Sequence, residues 1–538
     1  MRPFLTLHHP RAARRYYEEG TWRDDTLYGL LALHAEATPT LPAVRDHLRE
    51  VTWAQLRDEV DAVAHDLRLR GLEGGDIVSL WISSRIESIA VLLACSRGGF
   101  ACNPSLHRSY TSAEIVALLE RLGAAAFVTE RGWGIDRRTT ALEPLLDGVQ
   151  SLVARYDVAD LPKRGAGEAP PVDDPDKIVY LAFTSGTTGT PKCVMHSDNT
   201  LLANARDLVR DWGHDSSTRL LTLSPLSHHI AWVAVAQWLL TGCYLVTGTP
   251  KAPLSVLEWI ADNRPNYVMG VPTHAIDLLA AQAAQGRDML ASIRIFYMAG
   301  SSIPPVVAEA FAARGIKPQN VYGMTENSSH QYTAPDDAAD IATSTCGRGG
   351  RAYEVRIFDT ENANAEVPQG VAGQIGGRGA ALMLGYLSNQ EATAHSFNAD
   401  GWFLSGDVGR LDAQGNLRIE GRLKDIIIRG GHNIYPAQIE ALALRHQLIE
   451  KAAVVPVADA RLGERVCLVF SGSAALTDIV PRLLAEGLSK ADLPEFLLRV
   501  ESFPLTASGK VLKRELVDRI RRGELAPEPV RQSEGASS

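Results

Sequence analysis

The sequence predicts an α/β protein. Its large multi-subdomain N-terminal domain is built from two α/β sheets and a small β-rich subdomain, and a small, mobile α+β domain follows. First, 538 residues exceed what one hydrophobic core holds at roughly 100 to 200 residues per domain. Second, residues 25–170 alternate helical and extended apolar patterns, which favours a partly parallel sheet. Third, from about residue 355 short alternating runs are separated by Gly and Asn turns, which is typical of a β-rich unit.

Composition excludes several functional classes. A hydrophobic content of 45% and a charged content of 22% are ordinary for a soluble globular protein. The net charge of -9 argues against nucleic acid or an anionic membrane as the main partner. The six cysteines lack zinc-ligand spacing, which favours buried free thiols in a reducing compartment. Since no apolar run approaches the roughly 20 residues of a membrane span, we expect a cytoplasmic protein, either a monomer or a homodimer.

The first elements follow in chain order. Residues 56–67 form an amphipathic pattern, residues 77–82 have strand character, and residues 87–95 predict a buried helix. Residues 163–176 are rich in Pro, Gly and charge and predict an exposed connector. The connector ends where a buried strand begins, at residues 178–183.

A hydroxyl- and glycine-rich loop follows that strand: Thr184-Ser185-Gly186-Thr187-Thr188-Gly189-Thr190-Pro191-Lys192. Glycines let the backbone approach a polyphosphate, hydroxyls donate hydrogen bonds, and Lys192 supplies a positive charge. It is not a Walker loop, which would need glycine at Pro191 and a hydroxyl at Cys193. The alternative is a solvated turn. Residues 194–196 predict a return strand, and Asp198 or Asn199 is the expected cap of the next helix.

Later elements complete the expected organisation. Two strand-to-turn passages, at residues 219–223 and 267–271, offer ligand positions at strand ends. The β-rich part has strand patterns at residues 355–358, 374–376, 402–404 and 417–420. In the C-terminal part, helices are predicted at residues 436–445 and 478–488, and strands at 452–457 and 465–470. We therefore predict an N-terminal domain over residues 1–423, a C-terminal domain over residues 424–526 and a disordered tail over residues 527–538.

Four further motifs follow the loop in order. They are Tyr322-Gly323-Met324-Thr325-Glu326, Trp402-Phe403-Leu404-Ser405-Gly406-Asp407, Gly421-Arg422-Leu423-Lys424-Asp425 and Thr506-Ala507-Ser508-Gly509-Lys510. With the loop, they resemble the adenylate-forming superfamily of acyl-CoA synthetases, peptide-synthetase adenylation domains and beetle luciferases. The resemblance extends from residue 52 to residue 510. It implies ATP, Mg²⁺ and coenzyme A as cofactors, with an acid activated as acyl-AMP before its transfer to a thiol.

The resemblance also assigns the nucleotide contacts. The phosphate loop holds the β- and γ-phosphates through Thr184, Ser185, Gly186, Thr187, Thr188, Gly189 and Lys192. Gly300, Ser301 and Ser302 form the adenine wall, although the usual Gly-Gly-Ala is Ala299-Gly300-Ser301 here. Tyr322 stacks on adenine, Thr325 touches the α-phosphate, and Glu326 holds magnesium. Gly323 and Met324 belong to both the nucleotide site and the acid site.

Four more roles follow from the resemblance. Asp407 accepts hydrogen bonds from the ribose hydroxyls, and Arg422 is a nucleotide-binding residue next to the hinge. Lys424 marks the hinge about which the C-terminal domain rotates. Lys510 bridges the carboxylate and the α-phosphate, so the catalytic group comprises Lys510, Thr184, Lys192 and His228. Each alternative is structural: Asp407 as a turn former, Arg422 as half of a surface pair, and Gly430-Gly431 as a hairpin turn.

The acid site is expected near His228, the gate between the acyl pocket and the thiol tunnel. It includes His229, Trp232, Gly300, Gly323 and Met324. Residues 226–238 and 298–303 contain no acidic residue to pair with a substrate ammonium. The apolar surroundings favour a neutral cyclic acid, such as cyclohexanecarboxylate or a benzoate relative, or a short- to medium-chain acid.

Two alternatives remain. A stand-alone aryl-acid enzyme would load a separate carrier protein instead of coenzyme A. A non-catalytic nucleotide or acyl-adenylate sensor would keep only the fold. Retention of Lys510, Glu326 and Asp407 together counts against the sensor.

Overall fold

The computed structural model describes residues 4–165, 169–184, 191–250, 252–301, 303–505 and 511–530. Its helices are α1 (Pro10–Glu18), α2 (Leu27–Ala37), α3 (Trp53–Leu69), α4 (Ile86–Gly98), α5 (Ser112–Leu122), α6 (Glu143–Leu146), α7 (Asp198–Trp212), α8 (His229–Thr241), α9 (Val256–Asn263), α10 (Pro272–Ala283), α11 (Pro305–Ala312), α12 (Ala339–Ser344), α13 (Gln390–Ala394), α14 (Pro436–Ala443), α15 (Leu476–Ala485) and α16 (Lys513–Arg521). Short 3₁₀ segments occur at Val158–Asp160, Leu423–Asp425 and Lys490–Asp492.

The strands of the N-terminal region and the β-rich subdomain are β1 (Pro42–Arg45), β2 (Glu50–Thr52), β3 (Ile77–Trp81), β4 (Ala101–Asn103), β5 (Ala126–Thr129), β6 (Ala154–Asp157), β7 (Ile178–Thr184), β8 (Lys192–Ser197), β9 (Arg219–Thr222), β10 (Tyr244–Val246), β11 (Tyr267–Gly270), β12 (Ile295–Met298), β13 (Lys317–Met324), β14 (Ser328–Tyr332), β15 (Tyr353–Phe358), β16 (Gly373–Gly379), β17 (Phe403–Leu411) and β18 (Leu417–Arg422). Those of the C-terminal region are β19 (Ile427–Arg429), β20 (His432–Ile434), β21 (Ile449–Asp459), β22 (Gly463–Gly472), β23 (Phe496–Arg499) and β24 (Glu528–Pro529).

Two large sheets form the N-terminal region, as predicted. One has the order β6-β5-β3-β4-β7-β8 and is parallel except for the β7–β8 pair. The other has the order β14-β13-β12-β11-β9-β10-β1-β2, with antiparallel pairs at both edges. One hydrophobic core joins them and contains Val78 and Tyr180 of the first sheet, Leu220 and Met269 of the second, and buried residues of α4 and α8. The strand ends of both sheets therefore belong to one body.

The two remaining sheets complete the predicted α/β fold class. Strands β15 to β18 form a four-stranded antiparallel sheet, the predicted β-rich subdomain. The C-terminal sheet has the order β20-β19-β22-β23-β24, and β21 pairs with β22. Gly430 and Gly431, with φ of 60° and 86°, form the turn between β19 and β20, so the hairpin alternative describes this pair.

Two sequence predictions are wrong in detail. Helix α7 is capped by Ser197, whose side chain accepts a hydrogen bond from the Thr200 N–H, and not by Asp198 or Asn199. The buried Asp198 carboxylate instead pairs with Lys177 at 2.7 Å. The tail is not disordered from Pro527, because β24 pairs with β23. Residues 531–538 lie outside the described residues.

Two composition-based predictions can be compared with the structure. All six cysteines are buried and free, which confirms that part of the prediction. Within the described ranges, no helix combines the length and the apolar character needed to cross a membrane.

Candidate active site

The two ends of the predicted phosphate loop lie side by side. Thr184 ends β7 and Lys192 begins β8, and these two residues are antiparallel partners. The loop therefore lies between two strands, as the sequence indicates. Ser185, Gly186, Thr187, Thr188 and Gly189 lie outside the described residues, so their phosphate contacts stay predictions.

Lys192, Tyr386 and Glu326 form one contact group beside this loop. The Lys192 Nζ lies 4.7 Å from the centre of the Tyr386 ring. The Tyr386 hydroxyl donates a hydrogen bond to Glu326 Oε1 at 3.0 Å. Burial raises the pKa of Glu326, while Tyr386 and Lys192 act in the opposite direction. Sequence reasoning missed Tyr386, because an aromatic residue after a glycine is an unspecific signal.

Glu326 fits the magnesium ion that the family implies. Its side chain is buried, and a buried carboxylate is stabilised by a nearby cation. No group of three or more His, Cys, Asp or Glu side chains suited to a metal occurs in the described part of the chain. Mg²⁺ needs no such cluster, since it commonly takes one or two carboxylates together with phosphate oxygens.

A second group comprises Tyr322, Asp407 and Arg422. The Tyr322 hydroxyl donates to Asp407 Oδ2 at 2.9 Å, and Arg422 Nε lies 3.4 Å from Asp407 Oδ1. Asp407 and Arg422 face each other across β17 and β18. Burial raises the pKa of Tyr322 well above its usual range, so its hydroxyl remains a donor. The structure thus joins the Tyr322 motif to the β-rich subdomain.

The turn after β13 carries the predicted phosphate and metal residues. Gly323 is required there because a Cβ would lie 1.7 Å from the Ser328 carbonyl oxygen. The Met324 N–H donates to Asn327 Oδ1 at 3.0 Å.

The carbonyl groups of this turn contact other elements. The Thr325 carbonyl oxygen lies 2.7 Å from His196 Nε2. The Glu326 carbonyl accepts from the Met383 N–H at 2.7 Å. The main chain of this turn is therefore held on several sides.

His228 occupies the N-cap position of α8, at the predicted gate. Its ring stacks on the ring of His107, with centroids 4.4 Å apart. His107 Nδ1 lies 3.1 Å from the Ser227 hydroxyl oxygen, and burial lowers the pKa of His107 to about 4. The predicted gate residue is thus one of a pair of stacked imidazoles, and sequence reasoning did not indicate the other.

His229 and Gly300 lie at the predicted acid site. The two ring nitrogens of His229 lie 3.3 Å from the Tyr180 hydroxyl and 2.9 Å from the Ser328 hydroxyl. A Cβ at Gly300 would lie 3.3 Å from Ile230 Cδ1 and 3.4 Å from Val271 Cγ1. The predicted acid site therefore contains apolar side chains next to Gly300 and a histidine whose two ring nitrogens lie close to protein hydroxyls.

The other predicted residues differ in placement. Trp232 is only 2% exposed and donates its indole N–H to the Leu226 carbonyl, so it packs in the core near Tyr180. Ser301 is exposed, and Ser302 lies outside the described residues.

Lys424 lies in the 3₁₀ segment Leu423–Asp425, where burial lowers its pKa. Lys510 also lies outside the described residues, but Leu505 and Val511 on either side of 506–510 form an antiparallel bridge.

Comparisons with known proteins identify the family. Residues 31–387 match the model described as AMP-binding enzyme, and residues 438–510 match the AMP-binding enzyme C-terminal domain. The chain belongs to the AMP-binding enzyme family. This assignment confirms the resemblance to the adenylate-forming superfamily, and within it the chain is an AMP-forming acid–thiol ligase that acts through an acyl-AMP. ATP, Mg²⁺ and coenzyme A are the cofactors of this AMP-binding enzyme.

Its relatives span several acids. The AMP-binding enzyme is 31% identical to a medium-chain fatty-acid–CoA ligase of Escherichia coli, over 95% of this chain and 93% of the relative. It is 32% identical to a salicylyl-CoA synthase / salicylate adenylyltransferase of a Streptomyces species, over 95% and 96% of the two chains. The ATP-bound structure of MatB from Rhodopseudomonas palustris is similar with a TM-score of 0.80 at 25% identity, over 91% of this chain and 99% of that one.

Proposed function

We propose that this enzyme activates a carboxylic acid with a neutral cyclic hydrocarbon body, of the cyclohexanecarboxylate or benzoate type, and transfers the acyl group to coenzyme A. One observation carries the proposal: both ring nitrogens of His229 are already hydrogen-bonded to protein hydroxyls. A substrate polar group would have to compete with those bonds and would be costly to bury without a partner.

The rest of the pocket border supports the same acid class. Ile230 and Val271 lie within van der Waals contact of the space above Gly300. Glycine at that position, with a φ of 91°, adds no side chain beside them. Burying apolar surface of the acid against these side chains stabilises the complex by about 25 cal/mol per Å². An acid with a ring and no charged substituent fits these contacts best.

Each residue's proposed part in the first half-reaction follows from its position. Tyr322 and Asp407 bind the nucleoside, and Arg422 keeps the Asp407 carboxylate oriented. Lys192 neutralises charge on the departing pyrophosphate. Glu326, oriented by Tyr386, would hold Mg²⁺, which would offset the repulsion between this carboxylate and the phosphates. Lys510 would contact the reacting carboxylate from the C-terminal domain, which we propose comprises residues 424–526.

Exchange of labelled pyrophosphate into ATP over an acid panel tests the proposal. The panel contains cyclohexanecarboxylate, benzoate, salicylate, octanoate and phenylalanine. We expect the highest kcat/KM with cyclohexanecarboxylate or benzoate. A preference for octanoate would replace the cyclic acid with a medium-chain acid, and a preference for salicylate would contradict a ring without polar substituents. If no acid of the panel supports exchange while ATP binds, the proposed acid class fails.

A variant sharpens the substrate test. Ile230→Phe adds bulk beside Gly300, so it should lower kcat/KM for ring acids about tenfold or more while sparing propionate, because overpacking penalises the larger acid. Leu240→Phe, also on α8 and partly buried, is the matched control. Equal losses for ring acids and propionate would contradict the proposed pocket.

The thiol acceptor is tested separately. After acid activation, the enzyme receives either coenzyme A or a phosphopantetheinylated carrier protein, and the thioester is measured by mass. We expect coenzyme A to be acylated at least tenfold faster, a difference of about 1.4 kcal/mol in barrier. Faster acylation of the carrier would favour a stand-alone loading enzyme.

A further inference from the structure

Two histidines beside the site contact each other, and the scheme above gives neither of them a chemical step. His196 lies on β8 and is fully buried, and His229 begins α8. Their rings stack with centroids 5.4 Å apart and an interplanar angle of 20°. Since β8 belongs to one large sheet and α8 follows a strand of the other, the pair joins the two halves of the N-terminal region.

The hydrogen bonds of His196 select one tautomer. Its Nε2 lies 2.7 Å from the Thr325 carbonyl oxygen, which can only accept, so Nε2 carries the proton. Its Nδ1 lies 3.0 Å from the Thr200 hydroxyl, which then donates to it. Burial lowers the pKa of His196 to about 4, in agreement with a neutral ring. The neutral ring therefore satisfies both nitrogens and holds the main chain at Thr325.

His229 acts on the other end of the same turn. Its Nε2 lies 2.9 Å from the Ser328 hydroxyl. Ser328 has a φ of 57°, a conformation that residues other than glycine rarely adopt. Such a conformation persists only where its surroundings determine it. The turn from Thr325 to Ser328, which carries Glu326, is thus held at its first residue by His196 and at its last by His229.

We propose that the stacked His196–His229 pair is a two-point clamp that positions Thr325 and Glu326 relative to the acid pocket. Both histidines are positioning residues, since His196 acts through the Thr325 carbonyl and His229 through Ser328. The inference rests on the proposed roles of Thr325 and Glu326. It explains why a histidine at the acid pocket has its nitrogens directed to protein hydroxyls.

The test measures Mg²⁺ dependence in His196 variants. His196→Leu removes the N–H donor, and we expect half-saturating Mg²⁺ to rise about tenfold or more, as for other residues that orient metal ligands. His196→Gln keeps an N–H donor and should stay within about threefold of the wild type. The matched control is His214→Leu, which removes a buried histidine stacked on Tyr267 at 4.2 Å. This control should lower the thermal midpoint without changing Mg²⁺ dependence.

Two readouts separate the clamp from the proposed function. Pyrophosphate exchange with cyclohexanecarboxylate reports the reaction, and calorimetric binding of ATP at varied Mg²⁺ reports the turn even if no acid reacts. If His196→Leu lowers only the thermal midpoint, as His214→Leu does, the clamp is overturned. If His196→Leu does not fold, Ser328→Ala decides, since it removes the other anchor. An unchanged half-saturating Mg²⁺ in Ser328→Ala would likewise overturn the proposal.

Discussion

Burial sets the charge of individual histidines in this enzyme. The pKa values of His107, His196 and His214 are lowered to about 4, and that of His330 to about 3, because a charged imidazole is poorly solvated in the interior. His330 lies between the rings of Tyr322 and Tyr353. These rings are neutral at neutral pH, and those of His107, His196 and His214 stack on neighbouring rings.

Stability should therefore decrease in mild acid. An unfolded histidine has a pKa near 6.5, so between pH 6.5 and about 4 the unfolded chain binds more protons than the native chain. Above pH 6.5 the contribution of neutral burial is complete, and it is lost progressively down to about pH 4. Each such histidine lowers the unfolding free energy by up to about 1.4 kcal/mol per pH unit.

Denaturant unfolding at pH 7.5, 6.5 and 5.5 measures this effect. His214→Phe keeps a ring beside Tyr267 and removes the titrating group, so its stability should fall less steeply than that of the wild type. His395→Gln, at an exposed position, is the control and should follow the wild-type slope. Parallel slopes for wild type and His214→Phe would contradict the prediction.

At the scale of elements, the β13–β14 hairpin determines the geometry of the phosphate and metal residues. Its two strands are antiparallel and their register shifts between Tyr322 and Met324. Gly323 allows the close approach to Ser328, and Asn327 closes the turn on Met324. A glycine in this motif therefore serves the packing of one hairpin, whatever contact it makes with the nucleotide.

Gly323→Ala tests this role. The added Cβ would lie 1.7 Å from the Ser328 carbonyl oxygen, so the hairpin must open. We expect a loss of about 1–3 kcal/mol of stability and at least a tenfold loss of pyrophosphate exchange. Gly286→Ala is the matched control, since a Cβ there meets nothing within 4 Å. Thermal unfolding and exchange assays check both variants, and equal behaviour of the two would refute the packing argument.

At the scale of the whole molecule, the proposed scheme draws on two sheets, the β-rich subdomain and the C-terminal domain. Asp407 brings the β-rich subdomain to Tyr322, and the stacked His196 and His229 join the two sheets. The C-terminal family match ends at Lys510, far along the chain from the phosphate loop. Catalysis in the proposed scheme therefore depends on how the C-terminal domain approaches the N-terminal domain.

Lys510→Ala should separate the two half-reactions. If Lys510 stabilises the charge that develops during adenylation, its loss should slow pyrophosphate exchange about 10²- to 10³-fold. Thioester formation from preformed acyl-adenylate and coenzyme A should change only a few-fold, because this lysine does not serve that step. Single-turnover measurements of each half-reaction check the prediction. Equal losses in both half-reactions would exclude a rotation of the C-terminal domain that withdraws Lys510 from the active site before thioester formation.

Sequence reasoning predicted the candidate site residues that belong to short contiguous motifs. Tyr322, Glu326 and Asp407 occur in such motifs, and the structure brings each of them into the contacts described above. Sequence reasoning missed Tyr386 and His107. Their contacts join Tyr386 to Glu326 and His107 to His228, across 60 and more than a hundred residues of chain, and nothing in the local pattern indicates them.

The sequence by itself determined the α/β fold class, the order of the elements and the family. Apolar periodicity and glycine-rich turns act over a few residues, and the phosphate-binding loop and later motifs are local strings. Only the tertiary structure decided that Ser197 caps α7, that β24 joins the C-terminal sheet, and that His196 of β8 and His229 of α8 contact the two ends of one turn. These outcomes depend on long-range packing and on satisfying buried polar groups, which a local pattern does not encode.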